Sequence, residues 1–143
     1  MIKRWISGAI CAGMFTFTVH AQDLKEKDVP ATVKLALTQK YPDALKVSWE
    51  KEKGNFEANW GGKSGEDNSA IFTPSGQFQE LVQAIHIDQL PPTVAPYVAK
   101  HYPGAKIKEV GKVTDASGKH LFEVEIKGKD LIFDEKGNFV KED

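Results

Sequence analysis

The chain repeats a series of short motifs at a separation of 61 residues, and this duplication constrains its fold more than any other feature. Residues 29–33 (VPATV) return as 90–94 (LPPTV), and residues 41–44 (YPDA) return as 102–105 (YPGA). In the window 30–44, six of fifteen positions are identical to their counterparts, whereas unrelated segments would share about one. The sequence therefore predicts two copies of one unit, residues 22–88 and 89–143, which together make one compact domain.

The first 21 residues have the features of an export signal. Lys3 and Arg4 form a basic start, residues 6–19 are apolar or small, and small side chains precede a predicted cut after Ala21. The apolar run is about 14 residues long, shorter than the roughly 20 that a membrane span needs. We expect a mature chain without an integral membrane segment, in the bacterial periplasm or outside the cell.

The composition of the mature chain excludes several classes of function. The only cysteine, Cys11, lies in the leader, so neither a disulfide nor a thiol site is expected. The formal net charge is −1, and it becomes −3 when Lys3 and Arg4 are removed. Charges of both signs are interspersed, which argues against nucleic acid and against electrostatic membrane binding. The sequence does not indicate an oligomeric state.

Each copy begins with a pattern typical of a short helix. Apolar residues recur every four positions, at Val33, Leu37 and Tyr41 in the first copy and at Val94, Val98 and Tyr102 in the second. Pro42 and Pro103 end the two helices. Each helix is predicted to open with a proline, Pro30 or Pro91, in its first turn. Pro96 is tolerated in the second helix if Thr93 is the N-cap, because Pro96 then lies within the first turn.

After each helix the hydrophobic period changes to two, which predicts strands. In the first copy the strands lie around 47–51, 56–60, 69–73 and 77–87, and in the second around a hairpin at 112–119, then 122–126, 130–134 and 138–141. The predicted fold class is α+β, with two tandem helix-plus-four-strand repeats forming an antiparallel sheet that has helices on one face.

The pattern resembles the PepSY-like, β-lactamase-inhibitor-like family over about residues 28–141. The residues that carry the resemblance are Val29, Pro30, Tyr41, Pro42, Ala44, Trp49, Phe56, Glu57, Phe72, Gly76, Leu90, Pro91, Tyr102, Pro103, Phe122, Glu123, Val124, Phe133 and Gly137. The resemblance implies an exported bacterial protein of the architecture described above. In β-lactamase inhibitors of similar architecture the open face of the sheet grips an enzyme, but no residue here matches an inhibitory loop.

No set of residues predicts catalysis, a cofactor or a metal site. His86, His101 and His120 lie in different predicted elements, without the spacing of a helical zinc site. Residues 61–64 (GGKS) lack the preceding glycine and the following helix of a phosphate-binding loop, and no nucleophile elbow is present. We therefore expect that the protein is not an enzyme.

Five residues are candidates for a binding surface: Trp49, Glu57, Asn59, Glu123 and Glu125. The glutamates alternate with apolar residues, which predicts that they lie on the polar face of the sheet. Trp49 is open to two interpretations, because its counterpart in the second copy is either Glu109 or Val110. In the first case Trp49 lies on the open face and anchors a partner, and in the second it belongs to the core.

The sequence predicts a non-catalytic exported module that binds a protein or peptide through the open face of its sheet, with inhibition of a protease or another hydrolase as one form of that function. The alternative is a periplasmic carrier or sensor of a small ligand, with an apolar pocket between helices and sheet.

Overall fold

The computed structural model describes residues 22–143, which contain two α-helices, two 3-10 helices and nine strands. The predicted leader and its cleavage site lie outside the described residues. The helices are α1 (Ala31–Lys40) and α2 (Val94–His101), and the 3-10 helices are Glu26–Asp28 and Ile87–Gln89. The strands are β1 (Gln22–Leu24), β2 (Ser48–Glu52), β3 (Asn55–Trp60), β4 (Asn68–Phe72), β5 (Phe78–Ala84), β6 (Glu109–Asp115), β7 (His120–Ile126), β8 (Lys129–Asp134) and β9 (Phe139–Glu142).

These elements confirm the α+β class. The described residues fall into two compact units, 22–80 and 81–143, so that β5 begins in the first unit and ends in the second. The predicted boundary between residues 88 and 89 stays a prediction. Each unit contains one helix and a set of strands that are antiparallel to their neighbours.

Both helices end where the sequence indicates, but neither predicted first-turn proline lies inside its helix. Pro30 is the N-cap of α1, and α2 begins at Val94, after Pro91. The backbone N–H of Tyr41 donates to Leu37 at 2.7 Å and that of Tyr102 to Val98 at 2.8 Å, and a proline follows each tyrosine. Thr93 occupies the N-cap position of α2, but its hydroxyl does not cap the helix. It donates instead to the carbonyl of Gly137 at 3.0 Å, in the turn between β8 and β9.

In the first unit, β1, β2, β3 and β4 are neighbours in chain order. Trp49 is paired with Ala58, which is paired with Ala70, and all three are buried. Trp60 points to the same side and lies 5.3 Å from the Tyr41 ring at the end of α1. Because side chains alternate between the faces of a strand, these residues define the helix face of this sheet.

In the second unit, β6, β7, β8 and β9 are neighbours in chain order, and their helix face meets α2. Val110 is paired with Val124 and Val124 with Leu131, and these side chains form the core with Val94 and Val98 of α2. The Tyr97 ring of α2 lies 5.5 Å from Phe133 and 5.0 Å from Phe139. Burial of this apolar face is what holds the helix on the sheet.

The strands differ from the prediction in two places. The segment Gln22–Leu24 was not predicted as a strand, because three residues are too short to show a period of two. The strand predicted over 77–87 ends at Ala84, because the 3-10 helix Ile87–Gln89 follows it. The Gln89 side chain accepts the backbone N–H of His86, the N-cap of this helix, at 2.8 Å.

Candidate functional site

The strands of each unit have a second face, opposite to the helix of that unit, which we call the far face. It is the open face of the sequence-based prediction. In the first unit it consists of residues that alternate with the core positions of β1 to β4: Asp23, Ser48, Glu50, Glu52, Asn55, Glu57, Asn59, Ser69 and Ile71. Every charged residue at these positions is acidic.

Acidic side chains lie directly opposite one another on this far face. Asp23 is paired with Glu50 and Glu50 with Glu57, so that three adjacent strands each contribute one carboxylate to a row. Directly paired residues have Cβ atoms about 5 Å apart, and like charges at that distance destabilise a sheet. Glu57 is only 6% exposed, and the Ser69 hydroxyl donates a short hydrogen bond to its Oε1.

Glu50 shows the electrostatic consequence of this arrangement. Burial raises the pKa of its carboxyl, and the negative charges of Glu57, Asp23, Glu66 and Glu52 raise that pKa further. Both causes disfavour the charged form. The far face of the first unit therefore carries a concentrated negative charge that weakens its own sheet.

The far face of the second unit has a similar row. Glu109 is paired with Glu125 and Glu125 with Asp130, across three neighbouring strands. Lys108 lies 3.6 Å from Glu125 and relieves part of the repulsion. A second row contains Gly111, Glu123 and Ile132, and both Glu123 and Asp130 are 6% exposed.

The structure places four of the five predicted binding residues on far faces and the fifth in the core. Glu57 and Asn59 lie on the far face of the first unit, and Glu123 and Glu125 on that of the second. Trp49 is 5% exposed on the helix face, so its counterpart is Val110 and the interpretation as an anchor on the open face was wrong.

Sequence reasoning missed the acidic partners of these residues. Glu50 could have been found, because assigning Trp49 to the core places the next residue on the opposite face. Glu109 follows from the same choice, since Val110 is the buried neighbour. The positions of Asp23 and Asp130 in the acidic rows depend on which residues of neighbouring strands are paired, and the sequence pattern of one strand does not show this.

Metal binding among residues 22–143 would depend on how histidines and carboxylates are grouped. Within residues 22–143, no group of three or more His, Cys, Asp or Glu side chains could hold a metal ion. The His101 ring stacks on Tyr97 with 4.1 Å between centroids, and His120 Nδ1 lies 3.0 Å from the Thr114 hydroxyl.

In the described part of the chain, neither helix has the length and apolar character needed to cross a bilayer.

The chain resembles several solved structures. It matches a "putative periplasmic" protein from Bacteroides eggerthii with a TM-score of 0.69 and 20% identity, and a DUF2874 family protein from Bacteroides uniformis with a TM-score of 0.68 and 23% identity, over 80% of this chain and 88% of each of those. A BLIP-like protein from Bacteroides fragilis matches with a TM-score of 0.62 and 21% identity, over 80% of this chain and 85% of that one. At such identities these matches show the fold. No curated protein matches the sequence.

A match to a family model shows the family to which the chain belongs. The model described as "Putative beta-lactamase-inhibitor-like, PepSY-like" matches residues 59–141, which is more than half of the chain. The span contains the far-face residues Asn59, Glu123 and Glu125 and all but the last two residues of the second unit. This chain therefore belongs to the PepSY-like, β-lactamase-inhibitor-like family.

Proposed function

We propose that the protein is an exported, non-catalytic module that binds another protein or a peptide through the far faces of its sheets. The observation that carries this proposal is the row of three paired acidic residues on the face opposite each helix. Such rows cost stability, and departures from the rules of stable folding are concentrated at functional sites. A partner that neutralised the rows would recover that free energy on binding.

Two comparisons support the proposal. The family takes its description from β-lactamase inhibitors, and a structural neighbour is described as BLIP-like. Neighbours described as periplasmic proteins support export, as does the predicted leader. Inhibition of a protease or another hydrolase is one form that binding at the far face would take.

The two copies of the repeat support a binding module in a further way. Each described unit presents one helix and, on its far face, one row of three paired acidic residues. We infer that the two units are tandem repeats and that each offers a comparable surface to a partner.

The proposal is tested by blocking the far face sterically without changing its charge. Ser48 is exposed on the far face of the first unit, opposite Asn59, and Leu35 is 57% exposed on α1. The exported protein and its variants Ser48→Trp and Leu35→Trp are immobilised and incubated with an envelope extract of the native host.

We expect the unaltered protein and Leu35→Trp to retain a protein from the extract, and Ser48→Trp not to retain it. Circular dichroism should show that both variants are folded. Equal retention by the two variants would contradict the proposal. A folded chain that retains no protein, but whose melting temperature rises with a small metabolite, would favour the alternative of a ligand carrier.

A further inference from the structure

The far face of the first unit contains a groove with a volume of about 320 Å³. Its lining residues are Glu52, Lys53, Asn55, Glu57, Ile71, Gln79 and Glu80. Glu57 is paired with Ile71 in the register of β3 and β4, so a carboxylate and an aliphatic side chain lie next to each other in the groove. The Ser69 hydroxyl bonds to Glu57 Oε1 and holds this carboxylate in place.

The groove lies beside the acidic row. Glu50, which is paired with Glu57, is half-buried, and Asp23, which is paired with Glu50, is exposed. The negative charge therefore extends from the buried Glu57 to the surface across three strands. Lys51 points to the helix face by alternation, because it is paired with Phe56.

The acidity of this face is local and does not reflect the composition of the chain. The whole sequence carries 19 basic and 20 acidic residues, so its formal charge is close to zero. A cluster of one sign on a nearly neutral protein attracts the opposite sign at short range and steers its approach.

The lining of the groove carries one basic residue, Lys53, against the three acidic residues Glu52, Glu57 and Glu80, so its net charge is negative. The groove therefore combines the two features that a lysine or arginine side chain requires. Such side chains lay an aliphatic stem along apolar surface and keep the charged head among polar groups. Ile71 offers the apolar wall, and Glu57, with Glu50 beside it, offers carboxylates for charge-assisted hydrogen bonds. An acidic or neutral segment would leave the repulsion within the row uncompensated.

We propose that this groove binds lysine or arginine side chains from a basic segment of a partner protein. The inference rests on the proposed function, since it names the chemistry of the partner that the far face takes. The basic side chain enters beside Ile71, and its charged head pairs with Glu57, which lines the groove, and with Glu50, which is paired with Glu57.

The test measures binding of a short fluorescent peptide of alternating lysine and serine to the exported protein, with a glutamate–serine peptide as the reference ligand. The groove variant is Glu50→Gln with Glu57→Gln, which keeps the shape of both side chains. The control variant is Glu26→Gln with Glu135→Gln, which removes the same charge from two exposed positions outside the far faces.

We expect the lysine peptide to bind, the glutamate peptide not to bind, and the affinity for the lysine peptide to fall about tenfold in the groove variant and less than about twofold in the control. The affinity should also fall as salt is raised. Equal losses in the two variants, or no binding of the lysine peptide to the unaltered protein, would overturn the inference.

The two experiments together distinguish a failure of this inference from a failure of the proposed function. If an envelope protein is lost from Ser48→Trp but kept by the groove variant, the far face binds a partner and the basic chemistry assigned to that partner is wrong. If Ser48→Trp loses nothing, the proposed function itself fails.

Discussion

Gly76 and Gly137 lie where a turn between strands meets the first turn of a helix. A Cβ on Gly76 would be 2.8 Å from the carbonyl oxygen of Thr32, and one on Gly137 would be 2.2 Å from the Thr93 hydroxyl. Thr32 donates to the carbonyl of Pro74 at 3.2 Å, and Thr93 donates to that of Gly137 at 3.0 Å. These contacts give a physical reason for the glycine and the threonine that recur in the two halves of the sequence.

A substitution at Gly137 tests this contact. Gly137 and Gly128 both have positive φ, so alanine is strained at either, but a Cβ at Gly128 meets nothing within 4 Å. We expect Gly137→Ala to lower the free energy of unfolding by about 1–3 kcal/mol more than Gly128→Ala, because overpacking adds to the backbone strain. Urea denaturation of both variants gives this difference, and equal losses would count against the contact.

Glu50 gives a prediction about pH. Its pKa is raised by burial and then by Glu57 and the other carboxylates, so the folded state binds the proton more tightly than the unfolded state does. The charged carboxyl therefore destabilises the fold above the raised pKa, and this penalty disappears below the ordinary pKa of about 4.3. At pH 7, Glu50→Gln should melt at a higher temperature than the unaltered protein.

The difference in melting temperature should be a few degrees at most, since a half-exposed group is screened by solvent, and it should shrink as the pH falls below about 5. Glu135→Gln removes one charge from an exposed turn and controls for net charge. A lower melting temperature for Glu50→Gln at pH 7 would show that the row is not repulsive.

At the scale of elements, the edge strand β9 is attached both to its neighbour and to the end of the helix. Its pairing with β8 is interrupted by an irregularity between Ile132 and Phe133. The Tyr102 hydroxyl, just after α2, donates to Glu142 Oε2 at 2.6 Å, and Lys129 of β8 contacts the other oxygen. The hydrogen bond from Lys129, and then that from Tyr102, lowers the pKa of Glu142, while the hydrogen bond to Glu142 raises the pKa of Tyr102 to about 12.

We expect Tyr102→Phe to loosen β9 while leaving β7 in place. Amide hydrogen exchange over Phe139–Glu142 should become faster by about threefold, since one hydrogen bond to a charged acceptor is lost at an exposed site. The pKa of Glu142 should rise toward its ordinary value. Tyr41→Phe makes the same change in the first unit and should leave amide exchange in β9 unaltered. If Tyr41→Phe accelerated exchange in β9 as much as Tyr102→Phe does, the proposed role of the Tyr102–Glu142 hydrogen bond would be contradicted.

The sequence predicted the elements with strong periods and failed where the decisive contact is distant in sequence. Helices α1 and α2 were predicted because prolines and a four-residue apolar spacing are local signals. Strand β1 was not, because it has three residues and is held by pairing with β2. The face on which Trp49 lies also depended on register with Ala58, so the sequence left it open.

At the scale of the whole chain, the formal net charge is close to zero, but acidic residues are grouped on the far faces. Nearly equal numbers of acidic and basic residues coexist with far faces on which acidic residues are paired across strands. The glutamates of the candidate site were predicted from alternation alone. The rows that they form were not, because a row requires the order and register of three strands.

The most direct test of binding through the far face is site-specific photocrosslinking in the native host. A photoreactive phenylalanine analogue replaces Ser48, which is exposed on the far face, or Leu35, which is exposed on α1 of the same unit. The account predicts a discrete crosslinked species from position 48 and none from position 35. A crosslink from position 35 with none from position 48 would contradict it.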